Sequence, residues 1–147
     1  VLRGRDRRYG RIGRLFEGAM KSDDALGISG ERMAVYRRTA RRRMREKERW
    51  QAERRDRARS VARRAAEVLK QTCGAESVYL FGSLAWGGPF DEHSDVDLAV
   101  RGLDDRLYYR VVSRLLDLDP TIDVDLVQLE TAPDGLRGRI ESEGERL

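Results

Sequence analysis

One stretch of the sequence, residues 78–100, limits most strongly what this chain can fold into. It begins with four apolar residues, 78–81, and a short apolar run of this kind predicts a buried β-strand. Gly82 and Ser83 end that strand abruptly, and a glycine-rich loop follows. A second apolar strand is predicted at 96–100. The rest of the chain is expected to be organised around these two strands and the connection between them.

Asp95 and Asp97 stand at the start of the second strand. Side chains two residues apart on a strand point to the same face, so both carboxylates are expected side by side. Two adjacent anions repel each other unless a cation lies between them. Carboxylate oxygens suit Mg²⁺, which leaves its other positions to water and substrate phosphates. Because the Gly82-Ser83 turn adds free N–H groups and a hydroxyl for a phosphate tail, the stretch predicts a metal-assisted nucleotide site.

This order of residues resembles the signature of a known superfamily. Gly82-Ser83, eleven further residues and then Asp95-x-Asp97 are similar to the motif of the polymerase-β-like nucleotidyltransferases, and above all to its minimal nucleotidyltransferase branch. The resemblance covers residues from about 60 to 147. It implies an α+β fold, with a small core of a mixed sheet flanked by helices. It also implies that Gly82 and Ser83 bind the nucleotide, and that Asp95 and Asp97 are catalytic and hold the metal.

A third carboxylate is expected from a later strand, predicted at 122–129. The family takes this residue from a pattern like apolar-Asp-Leu-Val, which residues 124–127 match, so the resemblance makes Asp125 the third catalytic residue and metal ligand. Three carboxylates hold a pair of Mg²⁺ ions better than two. Asp123 lies one pleat away on the same face and is the alternative. Further helices are predicted at about 104–116 and 132–143.

The charge of the chain is divided unevenly along its length. Residues 1–70 hold 23 Lys and Arg against 10 Asp and Glu, a net charge of +13, whereas residues 71–147 hold 7 against 16, a net charge of −9. We predict three parts: a poorly ordered segment at 1–30, a long basic helix at 31–59 and a nucleotidyltransferase domain at 60–147.

The basic helix can serve more than one purpose. No proline or glycine interrupts residues 31–72, so a continuous helix is predicted there. Its last turns carry an apolar stripe that should pack on the core, formed by Ala58, Val61, Ala62, Ala65, Val68 and Leu69. Apolar residues are sparse between 41 and 57, and this section is expected to be solvated. Its arginines fit either a nucleic-acid- or partner-binding arm or a merely soluble helix of mixed charge.

Two residues near the motif bear on its chemistry. Relatives commonly read Gly-Ser-x-Ala-Arg-Gly, whereas this chain has Trp86 in place of the arginine. Trp86 either stacks on a base or packs the loop. The single histidine, His93, excludes a catalytic pair of histidines and argues against a zinc site, and a solvated loop position is expected for it.

The leading prediction is an Mg²⁺-dependent enzyme that transfers a nucleotidyl group, expected to be AMP, from ATP or another NTP to an acceptor hydroxyl. Members of the minimal branch pair with helical HEPN-type RNase toxins, and some act as antitoxins that add AMP to a tyrosine of that partner. The resemblance therefore also implies an antitoxin-like binding partner with weak or no catalysis. An RNA-associated transferase, recruited by the basic helix, is a further alternative.

The remaining composition limits the environment in which the chain works. Cys73 is the only cysteine, so no disulfide can form within the chain, and a reducing cytoplasm is expected. No apolar run approaches the about 18 residues that a membrane-spanning helix needs. A cytoplasmic protein without membrane contact is predicted.

Overall fold

The structure is a computed structural model, and it describes residues 29–147. The described chain divides into two units between Lys47 and Glu48, and the second unit, Glu48–Leu147, contains the sheet. The poorly ordered segment predicted at 1–30 lies almost wholly outside the described residues. No helix within residues 29–147 is long and apolar enough to cross a membrane.

A long helix, α1, begins the described chain at Gly30–Glu67 and continues as a π-helical turn at Val68–Thr72. The Ser29 hydroxyl accepts a hydrogen bond from the Arg32 N–H at 3.4 Å and so supports the first turn. The chain leaves the helix at Gly74, whose φ of 74° lies in the left-handed region that favours glycine. The long basic helix predicted from the sequence is therefore confirmed.

Four strands form one mixed sheet in the order β3-β2-β1-β4. Their bounds are Ser77–Phe81 for β1, Val96–Arg101 for β2, Val124–Gln128 for β3 and Glu145–Arg146 for β4. Strand β1 pairs antiparallel with both β2 and β4, whereas β2 and β3 run parallel. The predicted α+β class with a mixed sheet is confirmed, although the two-residue strand β4 was not predicted.

Three shorter helices connect and cover the strands: α2 at Gly82–Trp86, α3 at Tyr108–Leu116 after a 3₁₀ turn at Asp105–Leu107, and α4 at Asp134–Glu143. The helices predicted at 104–116 and 132–143 correspond to α3 with its 3₁₀ turn and to α4, and both begin slightly later than predicted. The predicted glycine-rich loop is present from Gly87 onward, but the short helix between it and β1 was not predicted. Leu84 is buried there and holds the segment as a short helix, which ends at Gly87 with a φ of 73°.

The two faces of the sheet differ, and we name them the packed face and the carboxylate face. The packed face is apolar on all three long strands and lies against the last turns of α1 and against α3; it comprises Val78, Leu80, Val96, Leu98, Val100, Val124 and Leu126. The carboxylate face carries Asp97 and Asp125 next to a small apolar cluster built by Phe81, Ala99, Leu129 and Ile140 of α4. The sheet thus buries one face completely and leaves part of the other for polar groups.

Candidate active site

Strand β2 lies between the end of β1 and the start of β3, and this brings the predicted acidic residues to one edge of the carboxylate face. Asp97 is the pairing partner of Phe81, the last residue of β1, on one side. On the other side it pairs with Asp125. The backbone N–H of Val96 donates to the carbonyl of Asp123 at 2.9 Å, which extends the β2–β3 contact toward the residues before both strands.

Four acidic residues are close enough to repel one another: Asp95, Asp97, Asp123 and Asp125. Burial raises the pKa of Asp97, and the charges of Asp125 and Asp95 raise it further. Burial also raises the pKa of Asp95, as do the charges of Asp123 and Asp125. Asp97 is half-buried, whereas the other three are exposed. Carboxyl groups in this arrangement resist ionisation until a cation lies among them.

The predicted residues fit Mg²⁺ by the type of their donor atoms, because Asp95, Asp97 and Asp125 offer hard carboxylate oxygens on one side of the sheet. Their side chains do not enclose an ion as they stand. Within residues 29–147, no three His, Cys, Asp or Glu side chains are already gathered around a point that could hold a metal.

Gly82 is held directly against the carboxylate of Asp97. Its φ of 71° lies in the left-handed region, and a Cβ atom at this position would overlap Oδ2 of Asp97. Only glycine fits both constraints, because it has no Cβ and adopts this φ without strain. The turn after β1 therefore passes within contact distance of the acidic group.

Ser83 follows Gly82 in the first turn of α2 and is half-buried. Its carbonyl accepts the N–H of Gly88 at 3.0 Å, and the chain of Gly88 passes close to the Ser83 side chain. The structure thus places the predicted nucleotide-binding pair, Gly82 and Ser83, at the same edge of the sheet as Asp97.

Trp86 packs against the protein rather than presenting a free face. Its ring centroid lies 6.0 Å from that of Phe81, and its Nε1 donates to the carbonyl of Glu143 at 3.1 Å. The guanidinium of Arg139 lies over the ring, 3.8 Å from its centroid. Of the two interpretations of Trp86, packing agrees with these contacts. His93 is exposed on the loop before β2, as expected.

The prediction that residues 41–57 are solvated was wrong for the last turn of that section. Arg54 is half-buried and donates to backbone carbonyls of the loop before β2. Arg55 donates to the carbonyl of Gly88 at 2.7 Å, and Arg57 pairs with Asp119 at 2.7 Å. One signal in the sequence could have shown this: Arg54 precedes Ala58 by one helical turn and so extends the buried stripe.

An open cavity of about 540 Å³ lies along β3, next to the acidic edge but not lined by it. Its walls include Tyr108 and Tyr109 of α3, Val127 of β3 and Leu136 of α4. None of the five predicted site residues lines it. Val127 follows Asp125 by two residues on the same face, so the cavity begins one pleat beyond the acidic edge.

A comparison with protein families decides the superfamily. The family model of the polymerase beta nucleotidyltransferases matches residues 64–147, more than half of the chain. The chain belongs to this family. The predicted polymerase-β-like nucleotidyltransferase is thereby confirmed, and all five predicted site residues lie within the matched range. A comparison with curated proteins finds no match.

Solved structures with a similar chain include other nucleotidyltransferases. A candidate minimal nucleotidyltransferase is 32% identical, with a TM-score of 0.49 over 58% of this chain and 88% of that one. A toxin–antitoxin structure with AMP-PNP is 27% identical, with a TM-score of 0.48 over 56% and 69%. One chain in a structure of the tri-AMPylated Shewanella oneidensis HEPN toxin in complex with MNT antitoxin is also similar. It is 24% identical, with a TM-score of 0.38 over 65% of this chain and 70% of that one.

Proposed function

We propose that this nucleotidyltransferase moves a nucleotidyl group from a nucleoside triphosphate to an acceptor hydroxyl with the help of Mg²⁺. Asp95, Asp97 and Asp125 are the proposed metal ligands, and Gly82 and Ser83 the residues that hold the phosphate tail. The observation that carries the proposal is the pairing of Asp97 with Asp125 on adjacent strands, with Gly82 in contact with Asp97.

The acidic residues have a defined part in this chemistry. Bound Mg²⁺ would neutralise phosphate charge and make the acceptor hydroxyl easier to deprotonate. The carboxylates of Asp97 and Asp125 fix where that charge is concentrated, because both start on paired positions of rigid strands. Gly82 keeps the backbone close to Asp97, so that a phosphate held by the Gly82-Ser83 turn would lie next to the metal ligands. His93 is exposed, and no step requires it.

The first experiment measures pyrophosphate release and label transfer from α-labelled ATP, GTP, CTP and UTP with Mg²⁺. Transfer of label to a protein or nucleic acid acceptor, with pyrophosphate as the other product, is the expected result. Replacing Mg²⁺ by Ca²⁺ keeps a divalent charge with a larger, more loosely coordinated ion, and is expected to suppress turnover while nucleotide still binds. Full activity in the presence of a chelator would contradict the proposal.

Asp125 and Asp123 form a matched pair for identifying the third carboxylate. Both are exposed, and they differ by two positions in the sequence, Asp123 immediately before β3 and Asp125 within it. Only Asp125 pairs with Asp97. We expect Asp125→Asn to abolish transfer and Asp123→Asn to leave most of it. The reverse result would move the third ligand to Asp123, and loss in neither variant would remove β3 from the metal site.

The identity of the acceptor follows from the resemblance and stays a proposal. AMP transfer to a tyrosine of a HEPN-type helical partner is the form we propose first. Co-expression of this chain with a helical protein encoded beside it, followed by mass spectrometry for tyrosine-linked AMP, tests it directly. A complex without modification would favour a binding partner with weak or no catalysis.

An RNA-associated transferase predicts a different result. RNA retention would fall steeply with salt, and it would be lost when the exposed arginines at 41–45 are replaced by glutamine. Label would then appear in RNA and not in protein. Retention that is insensitive to those replacements would contradict this alternative.

A further inference from the structure

Arg54 of α1 joins two separate segments of the chain. Its guanidinium donates to the carbonyls of Asp91 at 2.7 Å, Glu92 at 3.0 Å and Ser94 at 3.4 Å. A further N–H donates to the carbonyl of Thr121 at 3.0 Å. The first three carbonyls belong to the loop before β2, and the fourth belongs to the segment before β3.

These two segments place the acidic residues. Ser94 immediately precedes Asp95, and Thr121 lies two residues before Asp123. The loop before β2 is closed on itself, because the side chain of Asp91 accepts the N–H of His93 at 2.9 Å and the hydroxyl of Ser94 at 3.1 Å. A displacement of Asp91 would therefore be passed on to Ser94 and the strand that follows.

A guanidinium suits this connection to four carbonyls better than any other side chain. Carbonyl oxygens accept and cannot bond to one another, so two segments that present carbonyls need a shared donor. Arginine offers five N–H donors in one rigid plane, whereas lysine offers three on a compact, strongly hydrated ammonium. The guanidinium carbon lies 5.8 Å from the ring centroids of both Trp50 and Phe90, which limit its position. Phe90 is itself buried, so that neighbour is firmly held.

A second arginine supports the same segment from the next turn of α1. Arg57 bonds Asp119 at 2.7 Å, and Asp119 accepts the N–H of Thr121 at 2.9 Å and its hydroxyl at 2.8 Å. Thr121 is thus held by Arg54 directly and by Arg57 through Asp119. The segment before β3 is fixed to the same helix as the loop before β2.

We propose that Arg54 is a positioning residue for the metal site: it fixes the segment before β2 relative to the segment before β3, and with them Asp95 and Asp97 relative to Asp125. The inference rests on the proposed function, since those carboxylates are its proposed metal ligands. Arg54 touches neither nucleotide nor acceptor in this role. A residue that merely stabilises the fold would lower the melting temperature without changing metal affinity in the folded protein.

The test compares Arg54→Lys with two controls on the same helix. Arg63→Lys makes the same chemical change at an exposed position, and Val61→Ala lowers stability by truncating a buried side chain. Mn²⁺ binding in the presence of a non-hydrolysable NTP analogue is followed by electron paramagnetic resonance, at a temperature at which circular dichroism shows every variant folded. We expect Mn²⁺ affinity to fall about tenfold in Arg54→Lys and to stay at the wild-type value in both controls.

Amide hydrogen exchange gives a readout that needs no metal. The N–H of Val96 bonds the carbonyl of Asp123 and so reports directly on the contact between the two segments. Its exchange should accelerate in Arg54→Lys relative to that of Leu98, further along β2, and this ratio should not change in Val61→Ala. Unchanged Mn²⁺ affinity together with an unchanged ratio would overturn the inference while the proposed function stands.

Two further outcomes are also decisive. If the wild-type protein binds no Mn²⁺ with the analogue, the proposed function fails, and the Val96 exchange ratio alone decides whether Arg54 fixes the two segments. If Arg54→Lys does not fold, Arg57→Lys is tested in its place. That variant weakens the support of Thr121 through Asp119 but keeps the bond from Arg54 to the Thr121 carbonyl. A loss of Mn²⁺ affinity smaller than tenfold is then expected, and wild-type affinity would overturn the inference.

Discussion

The two faces of the sheet are built from alternate residues of the same strands, yet they have opposite effects on the stability of the fold. On β2, Val96, Leu98 and Val100 are fully buried on the packed face, whereas Asp97 on the other face is half-buried among like charges. Burial of apolar surface stabilises the first face, and repulsion between carboxylates opposes folding on the second. The residues that stabilise this domain and those of its proposed chemistry therefore alternate along one strand.

Asp97→Asn should have the largest effect, and only on function. Loss of this proposed metal ligand is expected to lower nucleotidyl transfer about 1,000-fold, or about 4 kcal/mol of transition-state stabilisation. Because burial and the charges of Asp125 and Asp95 raise the pKa of Asp97, its ionised form opposes folding at neutral pH. The melting temperature should stay constant or rise. Transfer assays and thermal unfolding of the same preparation check the loss of transfer and the melting temperature, respectively.

Asp117→Asn, at an exposed position at the end of α3, is the control for this prediction. It should change neither quantity. A variant of Asp97 that kept full transfer would remove this residue from the site, and one that unfolded would show that the two faces are not independent.

Leu98→Ala should have the opposite pattern. The side chain is wholly buried on the packed face, so truncation is expected to lower the free energy of unfolding by about 3 kcal/mol. Transfer by the fraction that remains folded should be unchanged. Leu116→Ala, at a residue that is 44% exposed, should cost well under half as much. Equal losses in the two variants, measured by chemical denaturation, would contradict the account of the packed face.

Gly82→Ala should lower both stability and nucleotidyl transfer, because Gly82 directly follows β1 and lies against the carboxylate of Asp97. Alanine at a φ of 71° is strained, and its Cβ would displace the Asp97 carboxylate. We expect about 2 kcal/mol of destabilisation together with a loss of transfer. Gly135→Ala on α4 is the matched control: nothing lies within 4 Å of its Cβ position, and its helical site should gain about 0.5–1 kcal/mol. Wild-type transfer in Gly82→Ala would argue against a close contact between turn and carboxylate.

The smallest expected effect concerns the support of the site from α1, and it depends on pH. Burial raises the pKa of the Asp119 carboxyl, but hydrogen bonds from Arg57 and Thr121 outweigh it and lower the pKa to about 2. A lowered pKa means that this carboxylate stabilises the fold above the unfolded-state value of about 3.9, and that its contribution is lost as the pH falls through about 2.

Because Arg57 is half-exposed and screened by solvent, we expect Asp119→Asn to cost about 1 kcal/mol at pH 7. The difference from the wild-type protein should shrink as the pH falls from about 4 toward 2. Denaturation curves at pH 7, 4 and about 2.5 measure it. A difference that is constant with pH would mean that the charge of Asp119 does not contribute.

The sequence was sufficient for the parts of the fold that depend on local pattern. Strict alternation placed Val124 and Leu126 on one face of β3 and Asp125 on the other, and the structure agrees. The sequence did not reveal the contacts in which a side chain bonds to backbone far away along the chain. The partners of Arg54 lie 37 to 67 residues away and are carbonyls, which every residue has, so their identity leaves no trace in the sequence. Strand β4 was missed because two residues are too few to show a period.

The parallel pairing of Asp97 with Asp125 also restricts how the gene can change length. One residue added to the exposed loop 91–93 lengthens a connection, and proteins tolerate this well. One residue added between Asp95 and Asp97 would instead turn one of these carboxylates toward the core and a leucine or valine toward water. Insertions and deletions are therefore expected in natural variants of this domain before Asp95, and hardly ever between Asp95 and Asp97.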